Sequence, residues 1–218
     1  VVNSTEDYLF IKNILKVANG NPDQTLNVDT DDLVQSHQLA LIEYSRGNLS
    51  RAKNVLEKSY RKDKFNIYIA SLMSNILWTM GDKKDAKDIL QKILEVYPNN
   101  NAITFQLLTY NIKDSTKLVQ SMKKLKDITE NNKNNPVAYK LLAEGYEKIK
   151  EKYLSRLALI EFYNIKGNIP MAFRVIDDGL TSSELNEVQK RNLKSIRTAI
   201  LCDGSPPLEP IFGDKTCD

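Results

Sequence analysis

A chain of 218 residues makes one large or two small domains, and 41% hydrophobic with 27% charged residues is an ordinary globular composition that excludes wholesale disorder. Its 31 basic and 28 acidic side chains leave a formal charge of +3, too small and too evenly spread for a binder of nucleic acid or membrane surface. One histidine and two cysteines exclude a zinc site of paired histidines or of four cysteines, and no apolar run approaches the roughly eighteen residues of a membrane span. His37 sits among Gln35, Ser36 and Gln38, with no nucleophile elbow and no glycine-rich phosphate loop anywhere, so the chain offers no catalytic constellation. It begins Val-Val-Asn without Met or a basic-then-apolar leader, as a processed protein or an excised fragment would.

In chain order, Ser4-Thr5-Glu6-Asp7 is a helix start with an acidic residue after the hydroxyl. Leu9, Ile11, Ile14, Leu15 and Ala18 follow as its apolar face, and Gly20 closes it. Residues 21–32 are polar and end in Asp and Thr suited to capping the next helix. That helix carries Leu33, Leu39, Ala40 and Ile42. Gly47-Asn48-Leu49 turns the chain, and Ala52, Val55 and Leu56 follow. Thirty-four residues on, Ala70, Met73, Ser74 and Leu77 precede Gly81-Asp82-Lys83, with Ala86, Ile89 and Leu90 behind it. Segment 101–132 is degenerate: Phe105, Leu107 and Leu108 suit a first helix, Asp114-Ser115 replaces the turn glycine, and Leu118, Met122, Leu125 and Ile128 keep helical spacing. Asn131 to Asn135 read as an exposed loop before Pro136. Residues 136–149 then give Tyr139, Leu142, Ala143 and Tyr146, and a third turn, Gly167-Asn168-Ile169, leads Ala172, Val175 and Ile176. A last helix, 184–201, carries Leu185, Val188, Leu193, Ile196 and Ile200. Pro206, Pro207 and Pro210 make residues 202–218 a non-helical tail.

A 34-residue step with glycine at the turn, a small residue in each helix and a large aliphatic four residues on is the tetratricopeptide (TPR) pattern. The predicted fold is therefore all-α: a right-handed TPR-like superhelix of stacked antiparallel helix pairs, about nine or ten helices, because one pair cannot bury its own apolar face. The expected domain is 1–201, with repeats near 33–66, 67–100, 101–135 and 136–183 and flanking helices 4–19 and 184–201. The stripe Tyr139, Tyr146, Tyr153 and Tyr163 reads as packing, and the lysines of 123–126 as a solvated helix face.

Pro136-Val-Ala-Tyr-Lys-Leu-Leu-Ala-Glu-Gly-Tyr runs into Leu157-Ala-Leu-Ile-Glu-Phe-Tyr-Asn-Ile-Lys-Gly-Asn, then Ala172-Phe-Arg-Val-Ile and the closing helix Gln189-Lys-Arg-Asn-Leu. This order, together with Glu6-Asp-Tyr-Leu-Phe-Ile-Lys-Asn-Ile-Leu at the start, resembles the C-terminal TPR region of bacterial BepA-type zinc metalloproteases over most of 4–200. In that family a HExxH protease domain precedes the TPR module, and the proteins act in the periplasm on assembly and quality control of outer-membrane proteins. This chain has no HExxH and no second His, so no zinc ligand or catalytic Glu carries over. The resemblance implies a non-enzymatic, partner-binding half with no cofactor of its own and zinc only in a protease domain outside it. Its implied partners are protein or peptide segments, among them unfolded outer-membrane proteins or their assembly machinery. The alternative is a free-standing TPR scaffold, cytoplasmic or periplasmic.

In such a stack the first helices of successive repeats line the inner face. The register places His37, Leu41 and Tyr44 there from the first repeat, Tyr68, Ser71, Asn75 and Trp78 from the second, and Phe105 and Thr109 from the third. Aromatics at positions that packing does not require predict a groove for peptide segments. Ser71 stands where a carboxylate clamp needs a base, which argues against capture of a C-terminus. Cys202 and Cys217 bracket the tail and form a disulfide in an oxidising compartment or stay as two thiols otherwise.

Overall fold

The structure is a computed structural model that describes residues 4–20 and 29–203. Among the described residues it contains eleven α-helices and no strand. They are α1 (Ser4–Ala18), α2 (Leu33–Ser45), α3 (Leu49–Lys62), α4 (Ile67–Met80), α5 (Lys83–Val96), α6 (Asn101–Lys113), α7 (Leu118–Asn131), α8 (Pro136–Lys148), α9 (Lys152–Ile165), α10 (Ile169–Thr181) and α11 (Glu187–Asp203). The chain divides into two compact units, Val1–Leu107 and Leu108–Asp218, where one domain was expected, and the division falls within α6.

The first unit follows the 34-residue register. Asp32 Oδ1 accepts from the Val34 and Gln35 amides, both at 2.8 Å, to start α2. Asn66 Oδ1 does the same for Tyr68 and Ile69 at 3.2 and 3.3 Å to start α4. Gly47 and Gly81 close the first helix of each pair at φ 80° and 100°. Behind them the Asn48 amide bonds to Glu43 O and the Asp82 amide to Leu77 O, each at 2.9 Å. This six-to-one closure needs a left-handed residue at the glycine position. Ala40 and Ala52 are wholly buried between α2 and α3. At the equivalent place between α4 and α5, Ser74 Oγ donates to Ala86 O at 2.8 Å. Glu43, 3% exposed, holds the first turn by accepting from Asn48 Nδ2 at 2.8 Å, with Arg46 and Arg51 each 3.7 Å from its carboxylate.

The second unit departs from that register. The turn after α6 has no glycine, and Ser115 and Lys117 both take positive φ (62° and 48°), with Asp114 Oδ1 accepting from the Thr116 amide at 3.0 Å. Residues 136–183, expected as one pair, hold three helices, which is why the count exceeds ten. The reason lies in two turns of the same kind. Lys150 (φ 62°) precedes the bond from the Glu151 amide to Tyr146 O at 2.9 Å, and Gly167 (φ 67°) precedes that from the Asn168 amide to Tyr163 O at 2.8 Å. From 150 to 167 is half a repeat, so α9 is the second helix of one pair and the first of the next. Ser155 Oγ donates to Ala143 O at 3.2 Å on the α8 side. Wholly or nearly buried Ile160 and Ala172 serve the α10 side.

Ile160, Ala172, Ile176, Leu185, Leu193, Ile196 and Ile200 form one core through α9, α10 and α11. Gly179 lets α10 close on α11, since a Cβ there would lie 2.5 Å from Leu193 Cδ1. Asn186 and Gln189 exchange side-chain and amide bonds at 2.9 and 3.0 Å and start α11 at Glu187, three residues later than expected. The helix runs through Asp203, so Cys202 is helical and not part of a tail. Cys217, Pro206, Pro207 and Pro210 lie outside the described residues, as do 21–28 of the polar linker.

Candidate functional site

The expected groove residues on α2, α4 and the first part of α6 belong to one unit, and their surroundings differ sharply along it. At the end where α4 begins, the face is covered by α1. Phe10, 1% exposed, stacks on Tyr68 with ring centroids 4.8 Å apart and planes 9° apart. The same ring meets His37 edge-on at 5.0 Å. Burial, and after it the Asp7 carboxylate, pushes the Tyr68 phenol up. Asn13 Nδ2 reaches Val34 O at 3.5 Å.

His37 is therefore a core residue, not a groove contact. It is 1% exposed, Nδ1 finds no hydrogen-bond partner, and burial pushes its pKa down from 6.5 to about 4. An imidazole held between helices keeps its neutral form because the cation would lose its hydration. Tyr68, half-buried, is engaged by Phe10 and lines no open groove at its stacked face. The face of α1 is likewise inverted from the expected one. Phe10 and Asn13 point in, while Leu9, Ile11, Ile14 and Leu15 are exposed with Tyr8. One aromatic outweighs several aliphatics because its ring fills the space between His37 and Tyr68, two partners from different helices.

Beyond Phe10 the face stays accessible. Leu41, Tyr44, Ser71, Asn75, Trp78 and Phe105 are all half-buried. Tyr44 Oη and Thr79 Oγ1 lie 3.1 Å apart and tie α2 to α4. Lys83 Nζ sits 5.4 Å from the Trp78 ring centroid. Thr109, also half-buried, follows the division of the chain and belongs to the second unit.

Gln106 is the residue that sequence reasoning missed. Ser71 Oγ donates to its Oε1 at 2.7 Å, and its Nε2 donates to Ser71 O and to Asn75 Oδ1, each at 3.0 Å. A signal existed: Gln106 follows Ser71 by 35 residues, close to the repeat step, so an amide one helix over is where that hydroxyl needs a partner. The three side chains form a neutral polar strip between α4 and α6, helices that also carry the half-buried Trp78 and Phe105. Such a surface can hold main-chain and uncharged groups of a polypeptide by hydrogen bonds at the strip and apolar contact beside it. Among the described residues no three His, Cys, Asp or Glu side chains are grouped to hold a metal ion, and no helix is long and apolar enough to cross a membrane.

No family model matches the chain, and no curated protein matches its sequence. Solved structures do resemble it. A point mutant of MamA is 17% identical with a TM-score of 0.50, covering 75% of this chain and 93% of its own. MamA of MSR-1 is 16% identical with a TM-score of 0.48, covering 80% and 98%. A tetratricopeptide repeat protein from Parabacteroides merdae ATCC 43184 is 14% identical with a TM-score of 0.49, covering 91% and 88%. Successive helices joined by left-handed turns a 34-residue step apart give the described residues an all-helical, TPR-like fold.

Proposed function

We propose that this chain is a protein-interaction module that holds polypeptide segments along the open part of the α2, α4 and α6 face. The observation that carries this is the row of half-buried Leu41, Tyr44, Trp78 and Phe105 on helices whose cores are already filled by Ala40, Ile69, Ala70 and Met73. Half-buried aromatic side chains on an accessible face are what polypeptide partners use as anchors. The neutral Ser71, Asn75 and Gln106 strip favours an internal segment over a charged terminus. In its fuller form the reading makes the chain the client-binding half of a periplasmic zinc metalloprotease of the BepA type, with unfolded outer-membrane proteins or their assembly machinery as partners. Its support there is the run of residues from Pro136 to Leu193 described above.

The test uses the only tryptophan, Trp78, as its own reporter. Full chain is titrated with a Trp-free segment of an unfolded outer-membrane β-barrel, and the Trp78 emission is followed. The expected result is a saturable blue shift, weakened about tenfold, which is 1.4 kcal/mol, in Phe105→Ala and Leu41→Ala when binding is counted per folded molecule. Unchanged affinity in both variants sinks the face, and binding of a charge-matched soluble segment equal to that of the β-barrel segment sinks the proposed client class.

A further inference from the structure

The second unit contains a cleft of about 460 Å³ bounded by α7, α8, α9 and α11. Its walls are mostly apolar, with Leu142, Leu154, Leu157 and Ile196 among them, and the Tyr139 ring at one side. Two acceptors line it without a partner among the described residues. The half-buried Glu161 carboxylate accepts no hydrogen bond and pairs with no cation among them. Asn192, 8% exposed, gives Nδ2 to the Tyr153 hydroxyl and leaves Oδ1 buried without a donor. An unsatisfied buried acceptor is rare in folded proteins, and Asn192 Oδ1 beside the half-buried Glu161 carboxylate marks a place prepared for donors.

We propose that this cleft is a binding site for a cationic group on an alkyl stem, a lysine ammonium or an arginine guanidinium, with Glu161 and Asn192 Oδ1 accepting its N–H groups. An ammonium or guanidinium carries donors and no acceptor, which matches a site that offers acceptors. The apolar walls suit the methylene stem, as long cationic side chains bury their stems along apolar surface. An anion would meet Glu161 at the wall and Glu130 at the rim.

The other titratable groups lining the cleft are Lys126, Lys133 and Glu130, all on exposed parts of the rim, and the neutral phenols of Tyr146 and of Tyr139, the latter pushed up by burial and the Glu161 charge. Lys126 Nζ lies 5.6 Å from the Tyr146 ring centroid and so has a partner of its own. Repulsion from the rim lysines is screened by salt over about 10 Å at 0.1 M, whereas a contact inside the cleft is not. Burial raises the Glu161 pKa to about 7, so the acceptor gains its charge as pH rises through neutrality, and binding strengthens in that direction.

The experiment is methyl NMR on the full chain, titrated with Nα-acetyl-lysine amide, Nα-acetyl-arginine amide and the neutral Nα-acetyl-norleucine amide as probes. Saturable shifts of the Leu142, Leu157 and Ile196 methyls are expected with the two cationic probes. Affinity should be about tenfold higher at pH 8.5 than at pH 5.5 and at least tenfold lower in Glu161→Gln, as removal of one charge-assisted hydrogen bond implies. Putrescine, a free diamine, separates the source: affinity equal to that of the capped lysine assigns the site to free organic cations, and weaker affinity assigns it to a side chain in a polypeptide. The proposal is overturned by norleucine binding as well as lysine, by no shift with either cation, or by wild-type affinity that is flat across pH, which needs no variant. Outcomes at Glu161 leave the Trp78 titration untouched, so the two readings fail separately.

Discussion

The two units solve one packing problem in opposite ways. In the first, the chain supplies its own aromatic, Phe10, to the space above His37 and Tyr68 and closes it. In the second, the cleft beside Glu161 and Asn192 receives no side chain from the described residues. Burial then moves two titratable groups in opposite directions: His37 falls to about 4 and Glu161 rises to about 7. In both cases low-dielectric surroundings favour the neutral form. Stability is gained where a side chain fills the gap, and binding capacity is retained where none does.

The largest break in this comparison is Phe10→Ala. Removing a buried phenylalanine costs roughly 3–5 kcal/mol, here confined to the first unit. Hydrogen exchange should show α1, α2 and the start of α4 losing protection while α9 to α11 keep theirs. Equal loss in both units would show that the closure is not local.

The pH dependence sharpens the contrast. The folded pKa of His37 lies below its ordinary 6.5, so the unfolded chain takes up the proton first. The contribution is fully present above about 6.5 and is lost as pH falls towards 4, about 3 kcal/mol over the window. Glu161 runs the other way: its folded pKa lies above the ordinary 4.5, so stability is lost as pH rises from 4.5 to about 7. Protection factors of α2 should therefore fall on acidification while those of α9 rise. His37→Leu should flatten the first trend and Glu161→Gln the second. Parallel trends in the two helices would contradict the opposed burial.

Gly179→Ala should cost about 1–3 kcal/mol by overpacking, because Leu193 is fully buried and cannot withdraw from the new methyl. Gly145→Ala should cost less, since a Cβ there meets Met122 Cγ at 3.0 Å and a thioether side chain adapts. Thermal melts of both variants give the order. The smallest effect is Tyr44→Phe, which removes one exposed hydrogen bond to Thr79 and should cost under about 1 kcal/mol.

The helical repeat was legible because its signals are local. Glycine at 47, 81 and 167 and small residues at 40, 52, 74 and 86 each act within one turn or one pair. What escaped has a common cause. Lys150 takes the left-handed turn position without being glycine, so the half-step that makes α9 shared was hidden. His37 sits at a register position that faces inward, but only Phe10, 27 positions earlier in the chain, decides whether that position is open. Gln106 and Asn192 matter through partners 31 to 39 residues away, which periodicity alone does not pair.

The shared helix also bears on how the molecule yields to force. Solenoids pulled from one end tend to peel in units set by nearest-neighbour interfaces. With α9 serving two partners, α8 cannot detach as half of a separate hairpin, nor can α10, without exposing a face of the same helix. A pulling trace through the second unit should show α8, α9 and α10 rupturing in one step of about 46 residues, Pro136 to Thr181, where a regular array releases roughly 34 at a time.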